Sequence, residues 1–313
     1  MDLLRAVAFL LAAGSALAAA LSLGGAVSDK LDLFAQAAPA WLVTSLIALL
    51  ALALTGAGRV GLALAAFALV ASLALIAPDA IAGFTLRHAA AGRHTLKLVQ
   101  LNVWDRNRDP AATEAWLRAQ RADILVLEEF GDGSVPAALA DTYPFSTGCP
   151  PGCATVILSR MPLSANGTIA WPGLGPRHTG AWASFGQGAD AFVVAGAHYR
   201  WPIPAGPQRE QARRFVAALA PFDRKSLIVA GDFNLNPWSF GLRSQDKALS
   251  IPRITHALFT WPAGPISHWR LNLPFPVLAV DQIYAGSDWE VVSVSRGPLL
   301  GSDHYPVVAV LTR

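Results

Sequence analysis

Charge is scarce in this chain. Asp, Glu, Lys and Arg make up 14% of its 313 residues, against roughly 25% in ordinary soluble proteins. The deficit is concentrated in the first 83 residues, where Ala6–Ser28, Leu33–Gly58 and Val60–Pro78 hold no charged side chain. That excludes an ordinary soluble domain for this part. Each stretch approaches the roughly 20 apolar residues that cross a bilayer, and short polar breaks at Asp29–Asp32 and Gly56–Arg59 separate them. The expectation is three transmembrane helices at about 4–27, 38–57 and 60–82. A cleaved signal peptide fits the first one less well, because its apolar run exceeds the roughly 7–15 residues usual for such segments. The three stretches themselves lack charge, which argues against a channel or transport path as the main function.

Cysteine is nearly absent as well. With only Cys149 and Cys153, a structural zinc site, which takes four ligands, is excluded on cysteines alone. The intervening Pro150-Pro151-Gly152 supplies turn formers, so a disulfide between the two is expected, and disulfides persist in oxidising compartments. Sequence repeats and low-complexity tails are lacking too. Nor is there a strong charge imbalance: three of the 24 basic and four of the 21 acidic residues fall in residues 1–83, leaving 21 and 17. A net of +4 beyond residue 83 does not by itself mark a nucleic-acid binder, though it permits phosphate-bearing substrates.

Orientation follows from where the few charges sit. Arg5 precedes the first span and Arg59 stands alone in the second loop, whereas the first loop sets two acids against Lys30. The positive-inside rule then keeps the N-terminus and second loop inside and sends residues after 83 outside. Arg87, Arg93 and Lys97 pull the other way. The predicted placement is the cytoplasmic membrane, with the larger domain on the extracytoplasmic side.

From Thr95 the pattern changes to short strand-like runs broken by turn signals. Predicted strands are Leu96–Val103, Ile124–Glu129, Thr155–Ser159, Ala191–His198, Ser226–Gly231, Val280–Ala285, Glu290–Val294 and Val307–Leu311. Predicted helices are Asp109–Gln120, opening with Pro110, and Pro207–Leu219. Many strands with few helices suggest two packed sheets flanked by helices. The domain reading is a membrane anchor over 1–83, a linker over 84–94 and a catalytic domain over 95–313.

Two strand-edge clusters carry chemistry. Leu227–Trp238 runs from an apolar strand into Asp232 and Asn234, two oxygen-bearing residues on one face. Leu300–Leu311 places Asp303 and His304 just before another strand. Gly231-Asp232-Phe233-Asn234 and Ser302-Asp303-His304-Tyr305-Pro306 resemble the G-D-x-N and S-D-H-x-P motifs of the endonuclease/exonuclease/phosphatase superfamily, which includes abasic-site endonucleases, deoxyribonuclease I, sphingomyelinases and inositol-phosphate phosphatases. The resemblance covers about 95–313 and implies a four-layered α/β sandwich. It implies metal ligation by Asn102, Glu129 and Asp303, with Mg²⁺ as cofactor and Mn²⁺ as substitute. It further implies that His198 lies over the scissile phosphate, that Asp232 and Asn234 orient nucleophile and phosphate, and that Asp281 partners His304. Glu128 stands where the family usually has Gln, and Gln282 where it often has His.

Trp104, Trp201, Trp238, Trp261 and Trp269 fall beside these motifs as stacking platforms or packing residues, and Arg177, Arg200 and Arg270 as phosphate-steering cations. The expected function is a membrane-anchored metal-dependent phosphoesterase acting on nucleic acid, phospholipid or a soluble phosphoester. The alternative is a catalytically weak, membrane-tethered binding module on the same fold.

Overall fold

The computed structural model describes the whole chain except residues 1, 57, 92–93, 132, 150–151, 172–178 and 265–272. Contacts divide it into two compact units: Met1–Phe84 with Pro202–Arg209 and Leu235–Ser244, and Thr85–Trp201 with Glu210–Asn234 and Gln245–Arg313.

The first unit is built on helices α1 (Asp2–Leu23), α2 (Asp32–Ala35), α3 (Ala38–Leu54) and α4 (Arg59–Thr85). Alanines form their shared faces: Ala8 and Ala12 pack with Ala48, Leu52 and Ala65, and Ala16 and Ala19 with Ala68 and Ala71. Such small residues let helix backbones approach closely. Long apolar side chains point outward instead, among them Leu10, Leu17, Val43 and Val70. Ser15 and Thr44 share a 2.8 Å hydrogen bond between α1 and α3, and Arg5 Nε donates to Thr55 O at 2.8 Å.

Two apolar helical stretches, Asp2–Ala26 with 25 residues and Arg59–Thr85 with 27, are long enough to cross a bilayer. The middle helix, Ala38–Leu54, has 17 residues and is shorter than the expected 38–57. The three expected helices therefore exist, and two of them meet the length for spanning.

The second unit contains β1 (Thr95–Asn102), α5 (Pro110–Gln120), β2 (Ile124–Glu128), α6 (Ser134–Ala138), β3 (Phe145–Ser146), β4 (Thr155–Ser159), β5 (Ala165–Ile169), β6 (Gly180–Phe185) and β7 (Phe192–Ala197). The chain continues through α7 (Ala205–Ala218) and β8 (Leu227–Asp232), then past α8 (Phe240–Leu249) to β9 (Asp281–Ala285), β10 (Glu290–Arg296) and β11 (Val307–Thr312), the starts of α7 and α8 being counted with the first unit. Six strands form one mixed sheet in the order β10-β11-β1-β2-β4-β3, and five form another, β5-β6-β7-β8-β9. Each sheet has one parallel pair, β1/β2 and β7/β8.

Strand alternation sorts the side chains into layers. Leu96 and Leu98 of β1, Ile124 and Val126 of β2, Ile228 and Ala230 of β8 and Ile283 and Ala285 of β9 belong to one core between the sheets. The opposite face of the six-stranded sheet contributes Val99, Leu101, Leu125 and Leu127, which pack with Leu117 of α5 and Val135 of α6. On the far side of the five-stranded sheet, Phe215 of α7 meets Tyr199 edge-on at 5.9 Å and Phe233 at a tilt at 6.2 Å. Helix, sheet, sheet, helix is the expected four-layered sandwich. Cys149 and Cys153 are disulfide-bonded, their Cα atoms 5.6 Å apart.

Candidate active site

The same period of two that builds the inter-sheet core also builds the site. Gln100 and Asn102 continue the Leu96–Leu98 face of β1, Glu128 continues Ile124–Val126 on β2, Asp232 continues Ile228–Ala230 on β8, and Asp281 opens the face of Ile283 on β9. At this end the core residues change from apolar to acid and amide. All five are buried, and they satisfy one another only in part, since Gln100 Oε1 and Glu128 Oε1 have no hydrogen-bond partner.

Asp232 is the hub. Its Oδ2 accepts from Asn102 Nδ2 at 3.0 Å and from Asn234 Nδ2 at 3.2 Å, and its Oδ1 from the Asn234 amide at 2.9 Å. His304 Nε2 lies 3.6 Å and His198 Nε2 3.7 Å from the same Oδ2. Asn234 has φ 50°, in the left-handed region that Asn tolerates, and this turns its amide back toward Asp232 and the Tyr199 carbonyl, 2.8 Å away. The preceding glycine is required by space: a Cβ on Gly231 would sit 2.1 Å from the Ala197 carbonyl oxygen of the neighbouring strand.

His304 Nδ1 meets Asp281 Oδ2 at 2.8 Å. Ser302 fixes the turn before it, donating to the Asn102 carbonyl at 2.6 Å and accepting from the His304 amide at 3.0 Å. Below this pair, Gln100 Nε2 bridges Asp281 Oδ1 at 2.8 Å and Glu128 Oε2 at 3.0 Å.

Glu128 and Glu129 separate cleanly. Glu128 ends β2 facing the core, fully buried, whereas Glu129 follows with φ 47° and brings its Oε1 to 3.0 Å from His198 Nε2.

Asp303 stands beside this cluster. Backbone pairing of Ala263 with Asp303 and of Tyr305 with Thr260 draws in the Trp261 indole, whose N–H donates to Asp303 Oδ2 at 3.1 Å. The other oxygen, Oδ1, is buried without a hydrogen-bond partner. An orphaned carboxylate oxygen in a site of oxygen donors fits a hard divalent cation. Asp232, Asp281 and His304 also bring three ligand atoms within 4.8 Å of one another, a second arrangement able to hold a metal ion.

Electrostatics follow from the burial of so many acids. Asp232 is pushed up to about 6, first by desolvation and then by the Asp281 charge, against the pull of His304. Burial, followed by Asp281 and Asp232, holds the Glu128 carboxyl well above the usual range. Asp303 is raised by burial. Burial opposes the charged form of His304, yet the carboxylates of Asp281 and Asp232 outweigh it and raise the imidazole well above its ordinary value. The buried acids thus favour the charged imidazole of His304, while burial raises the Asp232 carboxyl beside it.

The structure thus brings together Asn102, Glu129, His198, Asp232, Asn234, Asp281, Asp303 and His304. The sequence did not single out Gln100, although its position two residues before Asn102 on the same face was a usable signal. Of the tryptophans, Trp201 is exposed and meets Trp261 edge-on at 5.7 Å, while Arg108 lies 5.4 Å over Trp104. Trp238 is buried. Trp269, Arg177 and Arg270 lie outside the described residues. Arg200 has its amide bound by Gln211 Oε1.

A two-sheet sandwich with a buried Asp/His cluster at one end is the arrangement of a hydrolase with a phosphoesterase fold. Residues 99–304 match the model of the Endonuclease/Exonuclease/phosphatase family, and the chain belongs to that family. No curated protein matches the chain. Among solved structures, an endonuclease/exonuclease/phosphatase from Beutenbergia cavernae is similar at 21% identity and TM-score 0.53, over 70% of this chain and 72% of that one. TDP2 of D. rerio, solved with a single-strand DNA product, is similar at 15% identity and TM-score 0.55, over 70% and 99%. Sphingomyelinase C from Streptomyces griseocarneus is similar at 16% identity and TM-score 0.52, over 69% and 99%. At such identities the likeness is one of fold.

Proposed function

We propose that this chain is a membrane-anchored, Mg²⁺-dependent phosphoesterase that hydrolyses phosphodiester or phosphomonoester bonds by attack of an activated water. The observation that carries this reading is the unpartnered, buried Asp303 Oδ1, in a site where Glu129 adds a second carboxylate and raises the Asp303 carboxyl further. Glu129 and Asp303, with Asn102, are the proposed metal ligands. Oxygen donors of this kind suit Mg²⁺, with Mn²⁺ as a substitute. A cation bound there would neutralise charge on a nonbridging phosphate oxygen.

The remaining residues divide the proton work. Asp232, at about 6, is a carboxylate at neutral pH and is placed to align and deprotonate the attacking water. His304, held protonated by Asp281 and Asp232, donates a hydrogen bond to the phosphate as negative charge develops. Asn234 and His198 add donors for the other phosphate oxygens. None of the eight positions is lost, which favours an enzyme over the binding-module alternative.

The apolar α1 and α4 support a bilayer anchor. Arg5 and Arg59, together with the Cys149–Cys153 disulfide, support a catalytic domain on the extracytoplasmic side of the cytoplasmic membrane. The test is hydrolysis of bis-p-nitrophenyl phosphate and p-nitrophenyl phosphate by the full chain in detergent with Mg²⁺, beside Glu129→Ala. Release of p-nitrophenol that Glu129→Ala reduces at least a hundredfold is expected. Absence of turnover on both, or equal turnover by the variant, contradicts the reading.

A further inference from the structure

The polar break between α1 and α3 is engaged in a way its sequence does not announce. Asp32, 3% exposed, accepts from the Phe240 amide through Oδ1 at 2.7 Å, and through Oδ2 from the Gly241 amide at 2.9 Å and Arg209 at 2.5 Å. Phe240 and Gly241 are the first two residues of α8. Their N–H groups are among those a helix cannot satisfy internally. The local cap Ser239 takes the third, from Leu242, at 3.2 Å. Residues more than 200 positions apart therefore share the capping of one helix.

Gln36 repeats the device four residues on. Its Oε1 accepts from the Asn236 amide at 3.0 Å and from Asn236 Nδ2 at 2.8 Å, and its carbonyl accepts from the Trp238 indole at 3.0 Å. Asp29 adds a 3.3 Å contact to Arg209 Nε, and Leu75 O on α4 accepts from Arg243 at 2.6 Å. Fit is close: a Cβ on Gly25 would lie 2.7 Å from the Phe240 ring and 2.9 Å from Asp32. A carboxylate is buried at a high desolvation cost unless fully paired, and Asp32 is fully paired.

The segments held in this way, Pro202–Arg209 and Leu235–Ser244, follow β7 and β8 directly. Asn236 is two residues from Asn234, and Pro202 is four from His198. At roughly 3.3–3.6 Å per residue, displacement of either segment has little slack to absorb it before the site residue moves. Asn234 is the nearer of the two to its held segment, and it combines a left-handed backbone with bonds to Asp232 and Tyr199.

We propose that the Asp29–Gln36 connection of the helical anchor is a working part of the enzyme, in which Asp32 and Gln36 are positioning residues that set Asn234, and through it Asp232, for hydrolysis. The proposal rests on the phosphoesterase reading for its catalytic consequence, and on the hydrogen bonds alone for its structural one.

The test uses the full chain in detergent, with Asp32→Ala, Asp32→Asn, Gln36→Ala and the double variant Asp32→Ala/Arg209→Ala. Two readouts are taken well below each unfolding midpoint: tryptic cleavage at Arg209 and Arg243, and kinetics on bis-p-nitrophenyl phosphate with Mg²⁺. Asp32→Ala and Gln36→Ala should be cut at least tenfold faster at these sites. Their kcat should fall about tenfold with KM within twofold of the parent. Asp32→Asn, which keeps an oxygen for the helix N–H groups, should recover most of both, and the double variant, read by kcat and by cleavage at Arg243 alone, should be no worse than Asp32→Ala. If Asp32→Ala does not fold, Gln36→Ala, which removes no charge, carries the test. Unchanged cleavage and unchanged kcat in folded Asp32→Ala and Gln36→Ala would overturn the proposal. The cleavage arm needs no substrate, so a parent protein without turnover would defeat the phosphoesterase reading while the connection is still judged.

Discussion

His304 Nδ1 and Asp281 Oδ2 lie 2.8 Å apart, both residues buried, and Gln100 grips the far oxygen of the same carboxylate at 2.8 Å. The imidazole is thereby fixed in orientation and kept charged at once. Asp281→Asn would keep the shape and remove the charge, so the imidazole would lose its proton at lower pH. If protonated His304 is the active form, the alkaline limb of kcat/KM against pH moves toward acid in Asp281→Asn. His304→Ala should lose roughly 10²–10⁴ in turnover, the usual range for such groups. An unmoved limb, or near-normal turnover in His304→Ala, would remove this pair from the mechanism.

Glu128 gives a prediction of opposite sign for stability. Its folded pKa is raised, first by burial and then by the charges of Asp281 and Asp232, so the folded chain holds a proton that the unfolded chain releases. Stability from this group is intact below the unfolded value of about 4.5 and is lost as pH rises toward the folded value. Glu128→Gln, which installs the residue the family usually has there, removes the titration. Calorimetry should find the variant's midpoint raised by several degrees at pH 8 (a shift of about 2–8 °C per kcal/mol for domains of this range) and little changed near pH 4. A lowered midpoint at pH 8 would mean that Glu128 is ionised and needed.

The sequence made much of this legible, for physical reasons. Strands such as Thr155–Ser159 and Val307–Thr312 announce themselves because their alternation and turn boundaries are local. The site residues are legible because strand ends carry chemistry in short motifs. What was hidden depends on distance in the chain. Helix α8 was not expected, since two of its first N–H groups are satisfied by Asp32 rather than by a neighbour. Strand β6, Gly-Ala-Trp-Ala-Ser-Phe, has four small residues of weak strand preference among its six and holds its place through partners on both sides. The role of Trp261 against Asp303 depends on pairing across some 40 residues, which no periodicity reports.

Topology offers a third check. Asp32 and Gln36 are hydrogen-bonded to residues 236–241, so the α1–α3 connection lies on the same side of any membrane as that segment. A membrane-impermeant maleimide should therefore label Val27→Cys and Ser244→Cys from one side in intact cells, the external side on the proposed orientation. Cys149 and Cys153, disulfide-bonded, should resist alkylation until reduced. Labelling of the two engineered positions from opposite sides would contradict the hydrogen-bonded arrangement, and free native thiols would contradict an oxidising location.

Glu129 and Glu128 should also part company in catalysis. Glu129 reaches His198 and is the proposed ligand, whereas Glu128 is enclosed in the core. Glu129→Gln should raise the Mg²⁺ concentration for half-maximal activity at least tenfold, and Glu128→Gln should leave it within threefold. Equal shifts would exchange the roles of the two side chains.

Glu129 and Asp303, whose Oδ1 has no hydrogen-bond partner, are the proposed holders of a divalent cation for phosphoester hydrolysis. The most direct test of this role is to strip the full-length protein with EDTA, dialyse it free of chelator and follow bis-p-nitrophenyl phosphate hydrolysis as Mg²⁺ is returned. The account predicts no turnover in the stripped protein and saturable recovery with Mg²⁺ or Mn²⁺, with Asp303→Asn recovering only at much higher concentration. Undiminished hydrolysis in the stripped protein would contradict it.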